Sequence, residues 1–356
     1  MKIAFHFPSL ASGGAEKMRI ILARELLSRG ISVDFVLCQT AGEYRDQVPD
    51  GVALFDLGAK RTRNSLLPLA RYLKREAPDY LISSLGPQNV IAVAAKMLAR
   101  SSTRVYVTQH NALTREARHG TVQEKLIPYA YRWALPRADG VIAVSEGIAR
   151  DIEVSTGFPE SHVNVIYNPA HVDYTTPPAL PDWLQGKRYI LSIGRLVQQK
   201  AFDDLIRAFG IVHLRNPDLH LVIAGVGPLQ GQLASLAQRL GLKEHVHFPG
   251  FTRSPATYLN GAQLFAMSSR FEGFGNVLVE ALSTGLPVVS TDCDFGPSEI
   301  LGKGEYGRLT PVGDIRALAD AIDATLAEPR DAERLMSRAR EFSPSAIVDR
   351  YLSILR

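Results

Sequence analysis

Short apolar runs alternate with longer amphipathic stretches along almost the whole chain. In the first half, β-rich runs fall at 3–7, 33–37, 52–57, 80–85, 104–109, 140–145 and 163–167, with helical spacing at 15–29, 65–76 and 122–133 between them. Strand-then-helix alternation predicts a parallel sheet with helices on both faces. A polar stretch at 168–181, carrying Pro169, Pro177, Pro178 and Pro181, reads as an exposed linker. The alternation then resumes, with strands at 189–193, 219–224, 246–248, 263–268 and 287–291. Helical patterns lie between and after them at 202–215, 229–240, 277–283 and 315–326, and a final helix is expected at 344–355. The expected fold class is α/β, two doubly wound units in tandem. In such sheets ligands bind outside the carboxyl ends of the strands, so function is sought in those loops.

Composition sharpens this picture modestly. A chain of 356 residues exceeds what one core usually serves, which favours two domains. With 46% hydrophobic and 21% charged residues it reads as a soluble folded protein and not a disordered one. No run approaches the ~20 apolar residues of a membrane span; the longest, 89–99, is broken by Lys96 and reads as a core helix. The first residues are too short an apolar run for a signal peptide. Cys38 and Cys293 have neither disulfide nor metal-ligand spacing, which suits a reducing cytoplasm and a plain packing role. The net charge of +4 is small, but residues 60–137 hold fourteen Lys or Arg against four Asp or Glu. Such a region suits anionic lipid headgroups or a polyprenyl diphosphate, and equally a solvated basic face. Leu126, Ile127, Tyr129, Tyr131 and Trp133 add apolar surface or core there, and Pro128 can kink their helix. No aromatic-and-basic module for nucleic acid is recognisable.

Four places carry candidate chemistry. The segment 268–282 follows a strand and opens a helix near Asn276. Gly273 and Gly275 let the backbone approach a ligand, and the N–H groups of Asn276, Val277 and Leu278 suit an anion. Glu272 before that helix and Glu280 one turn into it bracket a phosphate-sized site: one carboxylate can address a sugar, the other a ribose diol. A glycine turn beside a surface acid is the plainer alternative. Gly194 ends another strand, and Arg195 and Lys200 after it can close on one diphosphate. Gly13 and Gly14 turn into the first helix without the dinucleotide fingerprint. His110 ends the 104–109 strand, where it can bond a sugar hydroxyl or simply cap its loop.

In this order the four resemble the retaining glycosyltransferases of family 4. The paired glutamates of Glu272-Gly-Phe-Gly-Asn-Val-Leu-Val-Glu280, the Gly194-Arg195-Leu196 strand end with Lys200, the Gly13-Gly14 loop and His110 match its motifs. The segment 292–300, with Glu299 as a further candidate, resembles members that build lipid-linked glycans and polysaccharides. Ala201 departs from the pattern, because many relatives have glycine after the lysine.

The resemblance implies a GT-B architecture of two Rossmann-like domains facing across a cleft. Residues 1–172 would form the acceptor-side domain and 173–335 the nucleotide-sugar domain, with 336–356 packing back on the first. It implies transfer of a hexose or N-acetylhexosamine from a nucleotide-diphosphate sugar, UDP being the commonest base, to a saccharide or polyprenyl-diphosphate-linked glycan. Glu280 would bind ribose, Glu272 the donor sugar, and Arg195, Lys200 and the helix start the diphosphate. His110 would meet the sugar from the other domain. No metal and no cofactor are expected, and the setting would be the cytoplasm, on the inner face of the cell membrane. A nucleotide-sugar epimerase would not be expected to carry the glutamate pair, a silent sugar-nucleotide-binding subunit would have a broken site, and an NAD-dependent oxidoreductase would need a glycine fingerprint.

Overall fold

The computed structural model describes residues 1–11, 14–115, 122–170, 179–252 and 254–355. The chain divides into two compact units, Met1–Pro169 with Pro344–Arg356, and Ala170–Ser343. Each is a parallel sheet flanked by helices.

The first unit contains β1 (Lys2–Phe7), β2 (Ser32–Leu37), β3 (Ala53–Asp56), β4 (Tyr80–Ser84), β5 (Arg104–Gln109), β6 (Gly140–Ala143) and β7 (Val163–Val165). Their order across the sheet is β3-β2-β1-β4-β5-β6-β7. Register is fixed by pairs such as Phe5 with Phe35 and Phe5 with Ile82. Because helices cover both faces, the inner strands are near-continuous apolar runs, and Ile3, Phe5, Val33, Phe35 and Ile82 are almost fully buried. β3, at the edge, is largely exposed.

The second unit contains β8 (Arg188–Ile193), β9 (Leu219–Ala224), β10 (Val246–Gly250), β11 (Leu264–Met267), β12 (Val288–Thr291) and β13 (Arg308–Thr310), in the order β10-β9-β8-β11-β12-β13. Chain direction across the sheet reverses between β1 and β4 in one unit and between β8 and β11 in the other. Such switch points open a crevice at the carboxyl ends of the strands.

Several elements lack a counterpart in the sequence reading, among them β13 and the helices Glu146–Thr156 and Ala332–Arg340. The last of these spans position 335/336, where a domain boundary was expected. The chain leaves the second unit after Ser343 instead, and the helix Pro344–Ile354 packs on the first sheet. Ile347, Val348, Tyr351 and Leu355 are buried there, the Tyr106 hydroxyl donates to Ile354 O at 2.7 Å, and Arg29 pairs with Asp349 at 2.5 Å. No helix among the described residues is long and apolar enough to cross a membrane.

Candidate active site

In the second unit the switch point gathers most of the predicted residues. β8 ends at Ile193, and Gly194-Arg195-Leu196 leads into a 3-10 turn, Gln198–Lys200, ahead of the helix Phe202–His213. β11 ends at Met267, and residues 268–275 lead into the helix Asn276–Ser283. The two loops are tied together along their backbones. The Arg270 amide donates to Gln199 O at 2.8 Å, Gln199 Nε2 to Phe271 O at 2.9 Å, and the Ser268 hydroxyl to Lys200 O at 2.8 Å.

This clamp sets the side-chain geometry. Lys200 Nζ lies 2.6 Å from Glu272 Oε1, and the Ser269 hydroxyl donates to the same oxygen at 2.6 Å. Glu272 is buried, only 7% exposed. The sequence reading placed Lys200 with Arg195 on a diphosphate and left Glu272 apart; the structure pairs Lys200 with Glu272. Arg195 is exposed and has no ion pair among the described residues, so the cations occupy different settings.

Gly275 starts the helix in the left-handed region (φ +97°). Of the three amides singled out there, that of Leu278 already closes on Gly275 O at 2.9 Å and is committed. The other two, those of Asn276 and Val277, stand in the first turn of the same helix. Glu280 lies one turn in and is buried, 3% exposed.

Two glycine loops complete the surroundings. After β9, Gly225 and Gly227 press on the β8 exit: a Cβ would come within 1.9 Å of Gly194 O at the first and 2.5 Å of Leu196 O at the second. The sequence reading missed them, although a Gly-x-Gly at a strand's carboxyl end was the available signal. After β12, Asp294 bridges Phe271 and its carbonyl accepts from the Glu272 amide at 3.3 Å. Gly296 (φ +98°) lies so close to Phe274 that a Cβ would meet its carbonyl oxygen at 1.8 Å. The 292–300 segment is therefore a wall of the glutamate loop. Glu299, half-buried, is in the short helix Pro297–Ile300, whose end is held by Arg338 through Glu299 O and Ile300 O.

Cys293 is buried beside this loop, and burial followed by the Glu272 charge pushes its thiol up to about 12. Cys38 is also buried and raised by burial. Neither thiol is a ready nucleophile.

In the first unit, Gly14 opens the helix Gly14–Ser28, while Gly13 lies outside the described residues. His110 follows β5 and is 8% exposed. Its Nε2 lies 3.1 Å from Nη2 of Arg19, which also donates to the Ser84 hydroxyl at the end of β4. Burial, and secondly the Arg19 charge, push His110 down to about 3, so the ring is neutral. Arg19 was missed because it reads as one polar position in an apolar helix; its only signal was standing between Met18 and Ile20-Ile21-Leu22.

Two family descriptions tile the chain: "Glycosyl transferases group 1" matches residues 181–342, and "Glycosyltransferase Family 4" matches 12–174. The chain belongs to glycosyltransferase family 4. Relatives extend over its full length. An N-acetylgalactosamine-N,N'-diacetylbacillosaminyl-diphospho-undecaprenol 4-alpha-N-acetylgalactosaminyltransferase of Campylobacter jejuni is 28% identical, covering 95% of this chain and 94% of its own. The lipopolysaccharide core biosynthesis glycosyltransferase LpsE of Rhizobium meliloti is 29% identical, covering 100% and 99%. Among solved structures, Anabaena HepE in complex with UDP and glucose superposes with a TM-score of 0.80 at 22% identity, covering 99% of this chain and 98% of that one. The fold of this glycosyltransferase is accordingly GT-B, built from two Rossmann-like parallel-sheet domains.

Proposed function

We propose that this glycosyltransferase moves a hexose or N-acetylhexosamine from a UDP-sugar to a saccharide or polyprenyl-diphosphate-linked glycan, with retention at the anomeric carbon. The observation that carries the donor reading is the clamp at the β8 and β11 ends. It holds the Glu272 carboxylate between Lys200 and Ser269, a few residues before a glycine-started helix that carries Glu280. The acceptor class rests on the names of the full-length relatives, which act on an undecaprenyl diphosphate and on lipopolysaccharide core.

Departure of a nucleoside diphosphate puts negative charge on its outer phosphate. Arg195, Lys200 and the Asn276 and Val277 amides are the donors we assign to that charge, an electrostatic contribution that is usually the largest in catalysis. They would replace a metal ion in this role. Lys200 would serve two acceptors, holding Glu272 while it faces the diphosphate. We assign Glu272 to the sugar and Glu280 to the ribose diol. His110, being neutral, would offer the sugar a hydrogen bond without drawing a proton from it. In a front-face displacement the leaving diphosphate takes the acceptor's proton, so no protein nucleophile is needed.

Calorimetry with free UDP separates the two glutamates. Glu280→Gln removes the charge that accepts ribose hydroxyl protons, and a lost charge-assisted bond of roughly 1.5–3 kcal/mol weakens UDP about tenfold or more. Glu272→Gln should leave UDP affinity within about twofold and lower turnover, because its partner is the sugar in the transition state. The reverse pattern would overturn both assignments.

A further inference from the structure

Arg19 is buried to 1% exposure inside the first unit and has no carboxylate partner among the described residues. A guanidinium in that position bears a large desolvation cost that a methionine or leucine would avoid. What surrounds it is neutral. The Phe5 ring lies 5.2 Å below the guanidinium carbon, Nη1 reaches the Tyr351 hydroxyl at 3.4 Å, and Nη2 serves both the Ser84 hydroxyl and His110 Nε2. Four elements therefore converge on one cation: β1, the end of β4, the end of β5 and the C-terminal helix.

The chemistry of the pair is one-sided. A guanidinium only donates, so the ring nitrogen facing it must present its lone pair. The neutral imidazole then carries its single proton on Nδ1, which has no acceptor among the described residues. We infer that Arg19 is a positioning residue that locks His110 in the Nδ1–H tautomer with its ring orientation fixed, making it a one-proton hydrogen-bond donor. Nε2 is thereby occupied by Arg19 and Nδ1 already carries its proton, so His110 is not available as a general base. The ligand this suits is an acceptor oxygen, such as a sugar hydroxyl or a developing oxyanion. The catalytic consequence rests on the placing of His110 at the donor sugar; the tautomer lock does not.

The lock is read by two-bond proton–nitrogen correlation on full-length, 15N-histidine-labelled protein at pH 7, with His110 assigned by its loss in His110→Gln. Wild type should show Nδ1 protonated and Nε2 bare. Arg19→Met should mix or reverse the tautomers, whereas Arg19→Lys, whose ammonium also only donates, should keep Nδ1–H. Tyr351→Phe removes a contact of the same guanidinium that does not involve His110, and should leave the tautomer unchanged. In turnover, Arg19→Met should lower kcat about tenfold with donor KM within about twofold, and Arg19→Lys should recover part of it, as for loss of one charge-assisted contact.

An Nε2–H signal for His110 in wild type or in Arg19→Lys overturns the inference, as does an unchanged tautomer in Arg19→Met. Should Arg19→Met fail to fold, the wild-type and Arg19→Lys spectra still decide. If the tautomers behave as stated but His110→Ala keeps full kcat, the lock stands and it is the placing of His110 at the sugar that falls.

Discussion

Ala201 adopts φ +46° and ψ 44°, a left-handed conformation, between the Gln198–Lys200 turn and the helix Phe202–His213. Family 4 relatives often have glycine there, and the geometry shows why: a Cβ in this region costs roughly 1–2 kcal/mol. Ala201→Gly removes that strain but frees the unfolded chain by about 0.4–1 kcal/mol. The expected net is a stabilisation of up to about 1.6 kcal/mol, read from urea denaturation midpoints at constant m-value. A loss of stability of similar size would mean the buried methyl contributes more than its strain costs. Single positions were legible where a strand end meets glycine: Arg195, Glu272 and Gly275 all stand at the carboxyl edge of the second sheet. Partners were not legible. Lys200 meets Glu272 across 72 residues, and Arg19 meets His110 across 91, pairings that only the folded sheets create.

The helix Val122–Ala134 shows the same limit for a whole element. Ile127, Tyr131 and Ala134 are buried, whereas Leu126, Tyr129 and Trp133 are exposed, Tyr129 by 66%. Both sets have helical spacing, so periodicity alone could not say which faced the core. Other elements were hidden by their brevity or polarity. β13 is only Arg308-Leu309-Thr310, too short to show alternation. The helix Ala332–Arg340 is mostly polar, and Asp331 caps its start. The helix Glu146–Thr156 offered its Ser145 cap as a signal, accepting from the Ile148 amide at 3.1 Å.

The exposed face of Val122–Ala134 is where the expected membrane contact can be tested. Arg132 stacks over Tyr129 at 5.5 Å and Arg137 over Trp133 at 5.4 Å, and Lys125 is exposed beside Leu126. Were this face to rest on an anionic bilayer, the aromatic rings would enter the headgroup layer and each basic residue would add about 1 kcal/mol. Leu126→Ser with Tyr129→Ser and Trp133→Ser should cut co-sedimentation with phosphatidylglycerol vesicles at least tenfold, about 1.4 kcal/mol or more, and wild type should bind phosphatidylcholine vesicles weakly. Equal sedimentation of the triple variant and wild type would remove this face from membrane binding.

For the molecule as a whole, the second sheet repeats the first: β10-β9-β8-β11-β12-β13 follows the same order as β3-β2-β1-β4-β5-β6. The alternation of runs made this duplication legible, while the exchange of the last helix depends on which core it completes. Removing residues 344–356 uncovers the sites of Ile347, Val348, Tyr351 and Leu355, which pack with Phe5, Phe35 and Ile82 in one cluster. Each such side chain contributes about 1.5–3 kcal/mol by burial. The four together approach the roughly 5–15 kcal/mol that holds a domain folded. The buried cluster of the second unit, around Ile190, Phe209 and Leu221, includes none of these residues. The truncated chain should therefore lose the cooperative unfolding transition of the first unit in calorimetry and keep that of the second. If the UDP site belongs to the second unit, as proposed, UDP should still bind within about threefold of its wild-type affinity, a difference of about 0.7 kcal/mol. Retention of both transitions would show that the last helix is not needed to hold the first core. Loss of UDP binding with the second transition intact would place part of the nucleotide site in the first unit.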